Sequence, residues 1–168
     1  MVRRQTRREL LKTVGGTATA AGFVGTVSGR RQPRNEEQSP RTRYAAFNVI
    51  ELETEQVQEP GDPQARAAAR VVQEVQPDVL VVNELTNNLQ QGKRTDRTNI
   101  DAFVDNYLSV PQRDDLEGID YEHTLQPASN TGVLPEEDYD FNKDGTAGEL
   151  PGDAFGFGVY PGHYAFAI

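Results

Sequence analysis

Two polar residues, Asn48 and Glu84, each stand at the carboxyl end of a hydrophobic segment. Asn48 comes directly after Tyr44-Ala-Ala-Phe, and Glu84 ends the run that begins at Val79. Two parallel strands joined by a helix bring their carboxyl ends to the same edge of a sheet, so the amide and the carboxylate are expected to meet there. Oxygen ligands of this kind bind a hard divalent cation such as magnesium, together with waters and phosphate oxygens. The pair therefore predicts a cation site, with Glu84 as the principal ligand and Asn48 as its helper.

The segments around this pair have the periodicity of a β–α–β unit. Arg43–Ile50 predicts a first strand, and Asp78–Asn83 is an unbroken Val/Leu run typical of a strand covered on both faces. Glu51–Pro63 is polar and interrupted by proline and glycine, which predicts a loop. Gln64–Gln76 predicts a helix with Pro63 in its first turn. Its apolar face would be formed by Ala65, Ala68, Ala69, Val72 and Val75.

The second half of the chain has weaker signals. Asn99–Val110 predicts a helix that begins at a Thr98 or Asn99 cap and places Phe103 and Tyr107 in the core. Tyr121–Leu125 predicts a third strand. Residues 127–153 are rich in Gly, Pro and Asp and predict a long loop, of the size that is usually functional or disordered. Residues 165–168 begin another apolar strand in which the sequence stops, which suggests a truncated domain.

Composition and charge exclude several classes of protein. The 168 residues include no cysteine, which excludes disulfides, thiolate metal sites and a cysteine nucleophile. No apolar run approaches the roughly 20 residues of a membrane span. Residues 44–168 carry 7 Lys and Arg against 23 Asp and Glu, a net charge of −16. Such a body repels nucleic acid unless cations or high salt intervene. The composition is typical of halophilic proteins, although ordinary acidic solubility would also explain it.

The amino terminus has the opposite charge. Residues 1–43 carry 10 Lys and Arg against 3 Asp and Glu, a net of +7. Paired arginines at Arg7 and Arg8, a leucine doublet, Lys12 and a run of small residues have the order of a twin-arginine export signal, which we assign to residues 1–29. Residues 30–42 predict a disordered linker. Export to the cell surface or the extracellular space is the expected outcome; a basic disordered tail is the alternative.

The order of these motifs resembles the endonuclease/exonuclease/phosphatase superfamily, the deoxyribonuclease-I-like metal-dependent hydrolases. The likeness rests on Phe47-Asn48-Val49, on Pro77-Asp-Val-Leu-Val-Val-Asn-Glu84-Leu, and on Gly152-Asp-Ala-Phe-Gly-Phe-Gly followed by Tyr160-Pro-Gly-His-Tyr, which are similar to a haloarchaeal-type exported branch. The resemblance implies an α/β fold, with residues 43–168 as the N-terminal portion of a four-layer α/β/β/α sandwich. It implies Mg or Mn held by Asn48 and Glu84, and hydrolysis of nucleic acid or other phosphate esters.

The family's remaining catalytic motifs are missing from this sequence. The family uses a central His-containing motif, an Asp/Asn pair and a Ser-Asp-His motif, whereas His123 and His163 stand outside such contexts. We therefore assign no catalytic residue and expect this chain alone to be inactive as a phosphodiesterase or phosphomonoesterase. The alternative is a non-catalytic secreted acidic binding module or a decayed gene fragment. Each histidine is more often structural or exposed than catalytic.

A second cation motif lies in the long loop. The spacing of D-x-N-x-D-G, the start of a calcium loop, is matched at Asp140, Asn142, Asp144 and Gly145. The twelfth position is Pro151, which has no ligating side chain, so Glu149 or Asp153 would have to substitute. A solvated acidic turn is the favoured interpretation, and calcium is the alternative.

Overall fold

The computed structural model describes residues 41–93 and 97–168. The predicted export signal, residues 1–29, and most of the predicted linker, residues 30–42, lie outside the described residues. In chain order the elements are β1 (Tyr44–Leu52), α1 (Thr54–Gln58), α2 (Pro63–Val75), β2 (Val79–Leu85), α3 (Asn99–Phe103), a π-helical turn (Val104–Leu108) and β3 (Phe166–Ala167). No helix of this described part is both long enough and apolar enough to cross a membrane.

The three strands form one mixed sheet in the order β1–β2–β3. β1 and β2 are parallel, with α2 as the connection between them, and β3 is antiparallel to β2. Helices combined with a mixed sheet place the chain in the α/β class, as the sequence predicted. Along β1, Val49 is buried while Tyr44 and Asn48 face outward, so Asn48 lies on the exposed side of its strand.

Helix α2 forms where the periodicity predicts it, because both of its ends are satisfied. The side chain of Asp62 accepts hydrogen bonds from the backbone N–H groups of Gln64 and Ala65, each at 2.9 Å, and Pro63 occupies the first turn. Gln76 ends the helix in the left-handed region, with φ of 50°. The predicted apolar face is buried except at Val75, which lies in the last turn and is 47% exposed.

The prediction of a loop over Glu51–Pro63 is wrong in its first half. β1 continues to Leu52, and α1 follows it. Two residues of this polar segment, Leu52 and Val57, are fully buried. Gln56 stabilises the start of α1, because its side-chain oxygen accepts the backbone N–H of Glu53 at 2.8 Å.

A helix is present where Asn99–Val110 predicts one, but only its first part, α3, is α-helical. Thr98 caps α3, and the helix then widens into the π-helical turn, which ends at Leu108. Gln73 of α2 is buried beside this turn and donates to the carbonyl oxygens of Leu108 at 2.9 Å and Val110 at 2.8 Å. The glutamine therefore replaces the hydrogen-bond partners that the end of a helix lacks. Phe103 and Tyr107 lie in the core, as predicted.

The prediction of a third strand at Tyr121–Leu125 is also wrong. The segment has no regular strand structure, and only Leu125 exchanges backbone hydrogen bonds with Ile168, at 2.7 and 2.8 Å. A strand requires a neighbour along its length, and here the neighbour, β3, is two residues long. The final apolar stretch does enter the sheet, as expected.

We expect Tyr107→Phe to lower the free energy of unfolding by about 1–3 kcal/mol, the cost of leaving a buried polar group unpaired. The Tyr107 hydroxyl accepts the N–H of Asp62 at 3.0 Å, and its single proton is shared between the carbonyl oxygens of Gln56 and Glu59, which lie 2.7 and 2.6 Å away. Denaturant unfolding measures the change. Tyr44→Phe is the matched control, because Tyr44 is 76% exposed. An equal effect of both substitutions would contradict the role of the buried hydroxyl.

Candidate functional site

The site begins with an irregularity in the pairing of β1 with β2. Asn48 pairs with Asn83, and the next pair is Leu52 with Leu85, so β1 takes four steps where β2 takes two. The additional residues form a bulge, in which Ile50 and Glu51 have φ values of 58° and 51°. These left-handed conformations are uncommon for residues other than glycine.

The bulge brings Asn48 and Glu84 into direct contact. The Nδ2 group of Asn48 donates to Glu84 Oε1 at 2.7 Å, and the Oδ1 atom of Asn48 accepts the N–H of Ile50 at 2.8 Å. Glu84 Oε2 accepts the N–H of Glu51 at 3.3 Å. Glu84 itself has φ of 62°, so its side chain is turned toward the bulge. The two residues that the sequence singled out therefore meet at the carboxyl ends of adjacent strands.

Three further residues at this edge were not assigned to the site from the sequence: Glu51, His163 and Tyr164. The Tyr164 hydroxyl donates to Glu51 Oε1. His163 is buried, and its Nδ1 atom accepts the N–H of Val159 at 3.3 Å. The proton of a neutral imidazole is then on Nε2, which lies 3.7 Å from Glu51 Oε1. The Glu51 carboxylate thus contacts the side chains of both Tyr164 and His163.

A turn carries His163 and Tyr164 to this position. Gly162 has φ of 81°, donates its N–H to the carbonyl of Thr131 and accepts the N–H of Asn87, each at 2.9 Å. A side chain at Gly162 would collide with Gln90 and crowd Asn87. The sequence signal was present in Tyr160-Pro-Gly-His-Tyr, where three ring side chains surround a turn dipeptide, but it did not indicate which carboxylate the rings would contact.

Hydrogen bonding and charge change the acidity of the tyrosines at this edge. The hydrogen bond to Glu51 raises the pKa of Tyr164 to about 12, and burial and the charges of Glu51 and Glu84 act in the same direction. Burial also raises the pKa of Tyr160, whose hydroxyl lies 3.3 Å from a carboxylate oxygen of Glu53. Both hydroxyls remain protonated donors at neutral pH.

The carboxylates of Glu51 and Glu84 line a shallow hollow of about 540 Å³. Its lining is provided by Ile50, Glu51, Glu84, Thr131, Phe157 and Tyr164. Phe157 is 64% exposed, and its ring centroid lies 6.0 Å from that of Tyr164. The hollow therefore combines two carboxylates with an accessible aromatic wall.

The donor set of the hollow fits a hydrated hard cation. Among the described residues there is no group of three or more His, Asp or Glu side chains arranged to hold a metal. Magnesium needs no such cage, because it keeps several waters and binds through one or two carboxylates plus substrate phosphates. Glu84 and Glu51 are two such carboxylates, and the Asn48 amide oxygen has a second lone pair beyond the one used by Ile50.

In the second cation motif, the carboxylate oxygens accept hydrogen bonds from the backbone of the same loop. The Asp140 carboxylate accepts the N–H groups of Asp144 at 3.1 Å and Gly145 at 2.9 Å. Asp153, suggested as a substitute calcium ligand, is completely buried, and it accepts the N–H groups of Phe141 at 2.8 Å and Glu149 at 3.0 Å. Its oxygens stabilise the loop backbone, which makes it unsuitable as the late ligand. Calcium binding by the remaining carboxylates stays a prediction.

Comparisons with protein-family models, with curated proteins and with solved structures found no match for this chain. The family likeness therefore stays a prediction from the motifs.

We expect Glu51→Gln to lower the pKa of Tyr164 from about 12 toward the ordinary value of about 10. Because the pKa is raised in the folded state, the hydrogen bond contributes fully to stability below about pH 10, and this contribution is lost as the pH rises through the folded value. Absorbance of tyrosinate during a pH titration measures the shift. Tyr121, whose pKa burial raises to about 12, is the internal reference and should not move. Glu51→Gln should have no effect on the titration when residue 164 is phenylalanine; a persisting effect would contradict the contact.

We expect Asp153→Asn to reduce the loss of stability that acid causes in the loop at residues 141–149. Backbone hydrogen bonds from Glu149, Phe141, Asn142 and Gly148 lower the pKa of Asp153 despite its burial. A lowered folded pKa gives stability that is present above the unfolded value of about 3.9 and is lost as the pH falls through the folded value. Amide hydrogen exchange of residues 141–149 between pH 3 and pH 7 measures this loss of stability. Asp114→Asn, at an exposed carboxylate outside the loop, is the control, and identical pH profiles for both variants would refute the assignment.

Proposed function

We propose that this chain carries the metal-binding portion of a divalent-metal-dependent phosphoester hydrolase of the endonuclease/exonuclease/phosphatase type. One observation supports this most directly: the 2.7 Å hydrogen bond between Asn48 and Glu84 at the carboxyl ends of adjacent parallel strands. The resemblance of the motifs implies this pair as metal ligands, and their contact brings the two side chains within reach of one cation. The β1–α2–β2 unit is compatible with the first portion of a four-layer α/β/β/α sandwich, which we propose as the full architecture.

Glu84, Asn48 and Glu51 each have a role in this proposal. Glu84 is the principal ligand for Mg or Mn, and its unusual backbone conformation directs the carboxylate to the rim. Asn48 orients that carboxylate through Nδ2 and adds a neutral oxygen without adding charge. When bound, the cation would polarise a phosphoryl oxygen and stabilise the leaving oxygen. Glu51, which accepts a hydrogen bond from Tyr164, provides a second carboxylate that lines the hollow.

The charge of the chain restricts its substrate. With a net charge of −16 over residues 44–168, a phosphate ester must approach with cations or at high salt. We propose an extracellular or cell-surface location, reached by the twin-arginine route, and nucleic acid or smaller phosphate esters as substrates. His163 lies near the hollow, but its Nε2 faces Glu51, and its sequence context differs from that of the family's catalytic histidines. We therefore expect this chain alone to bind cation and phosphate without turnover.

We expect Glu84→Gln to weaken Mn²⁺ binding about tenfold or more, because one charged ligand becomes neutral. The loss of free Mn²⁺ signal in electron paramagnetic resonance measures the affinity. About 1 M KCl screens general attraction to the acidic surface. Glu137→Gln, at an exposed carboxylate of the long loop, is the matched control and should leave the affinity within about twofold. Asn48→Leu should cause an intermediate loss of Mn²⁺ affinity, because it removes a neutral ligand and no charge.

Two results would contradict the proposed function. The first is equal Mn²⁺ affinity in the Glu84→Gln and Glu137→Gln proteins, which would favour an acidic binding module without a defined cation site. The second is a failure of inorganic phosphate to bind more tightly when Mn²⁺ is present, measured by titration calorimetry. Hydrolysis of a bis-nitrophenyl phosphate by the chain alone would contradict only the expectation of inactivity.

A further inference from the structure

Phe157 stands between two glycines that pack directly against the backbone of another loop. The N–H of Gly132 donates to the carbonyl of Gly156 at 2.8 Å. A Cβ atom at Gly158 would lie 2.8 Å from the backbone nitrogen of Gly132, which is closer than real Cβ atoms approach. Both neighbours of Phe157 are thus fixed against Gly132, while the ring of Phe157 itself lines the hollow and is 64% exposed.

The same loop also fixes the turn that carries Tyr164. Thr131, which precedes Gly132, accepts the N–H of Gly162 at 2.9 Å and itself lines the hollow. The rings of Phe157 and Tyr164 pack against each other, with centroids 6.0 Å apart and planes inclined by 31°, which is within the range that aromatic pairs prefer. The position of the Phe157 ring is therefore determined by backbone contacts as well as by the neighbouring ring.

Tyr164 connects this aromatic pair to the carboxylates. Its hydroxyl donates to Glu51 Oε1, and Glu51 and Glu84 both line the hollow. A single phenol side chain thus links the ring of Phe157 to the proposed cation site. No lysine or arginine in the described part of the chain lines the hollow, so a phosphate bound there depends on the cation. An organic group esterified to that phosphate would then lie within reach of the Phe157 ring.

The accessible ring favours one kind of ester group. The volume of the hollow, about 540 Å³, is within the range of small-molecule sites, so there is room for a ring system beside a phosphate. A planar aromatic group stacks on a phenylalanine ring, and stacking of a base on an aromatic side chain strengthens binding by about fivefold or more. A sugar or an alkyl group has no π-face and gains less from the same surface.

We propose that Phe157 determines the substrate class of this site by stacking on the base of a nucleotide whose phosphate is held through the cation at Glu84. The inference rests on the proposed function, because the cation supplies the binding of the phosphate. It narrows the substrate from phosphate esters in general to esters that carry a planar aromatic group. Every base has a π-face, so the site should discriminate little among bases.

The experiment measures binding by titration calorimetry in the presence of Mg²⁺ and about 1 M KCl, which screens the acidic surface. The ligands are phenyl phosphate and cyclohexyl phosphate, which have the same charge and the same number of carbon atoms. We expect phenyl phosphate to bind about fivefold more tightly or better. A second pair, adenosine monophosphate and ribose 5-phosphate, should show the same order. Glu84→Gln should weaken the binding of all four ligands, because it weakens the cation site.

Substitutions of two neighbouring phenylalanines assign the effect to one ring. Phe157→Leu should abolish the preference for phenyl phosphate and leave the affinity for cyclohexyl phosphate within about twofold. Phe157→Trp should retain the preference, because an aromatic ring is kept. Phe155→Leu is the matched control and should also retain it: Phe155 is 58% exposed, but its ring lies 6.3 Å from that of Phe141 and does not line the hollow.

The possible failures are distinguishable. Equal Mg²⁺-dependent binding of phenyl and cyclohexyl phosphate would overturn the stacking role and leave the proposed function intact. A preference for phenyl phosphate that persists in Phe157→Leu, or that Phe155→Leu removes equally, would also overturn it, because the aromatic group would then bind elsewhere. Absence of Mg²⁺-dependent binding of every phosphate would instead contradict the proposed function, and the stacking role would fail with it.

Discussion

The hydrogen bond between Asn48 and Glu84 is the constraint on which the edge of the sheet depends. It closes a bulge in β1 whose residues Ile50 and Glu51 are left-handed, as is Glu84 on the neighbouring strand β2. Such conformations cost of order 1–3 kcal/mol each and persist only where the surrounding structure imposes them. The bulge lets Leu52 and Leu85 pair and become fully buried, which contributes about 1.5–3 kcal/mol for each side chain. The two effects are of the same order, so the side-chain hydrogen bonds at the rim decide which pairing prevails.

Glu51 and Glu84, the polar residues that precede those leucines, are therefore directed outward by the packing of the core. In a regular ladder the residue opposite Glu84 would be Val49, which is buried. The bulge separates these residues and leaves the Glu84 carboxylate at the rim, beside an amide and within reach of the backbone N–H of Glu51. The site is thus a consequence of apolar packing on one face, and the rings of His163 and Tyr164 contact its second carboxylate, Glu51. A chain without the buried leucine pair would have no reason to keep the strained backbone.

The sequence was sufficient where local chemistry and burial agree. Asp62 and Pro63 define the start of α2, and the Val/Leu run defines β2. The parallel arrangement then brings Asn48 near Glu84. The sequence was insufficient where contacts between distant segments determine the local structure. Leu52 and Val57 lie in a polar segment and become buried only against the core, and Tyr121–Leu125 has strand composition but a partner for only one residue. The widening of the helix at Val104 requires Gln73, a residue about 30 positions earlier whose polar side chain gives no periodic signal. The contact of Tyr164 with Glu51 spans more than 100 residues, so no local pattern could identify it.

The acidic surface restricts which ligands can approach the hollow. Over residues 44–168 carboxylates outnumber basic residues by 16, so any cationic segment is attracted to much of the surface and any anionic ligand is repelled. In the hollow, Glu84 and Glu51 repel phosphate unless a cation neutralises them, so the cation and phosphate binding that we propose would be mutually dependent.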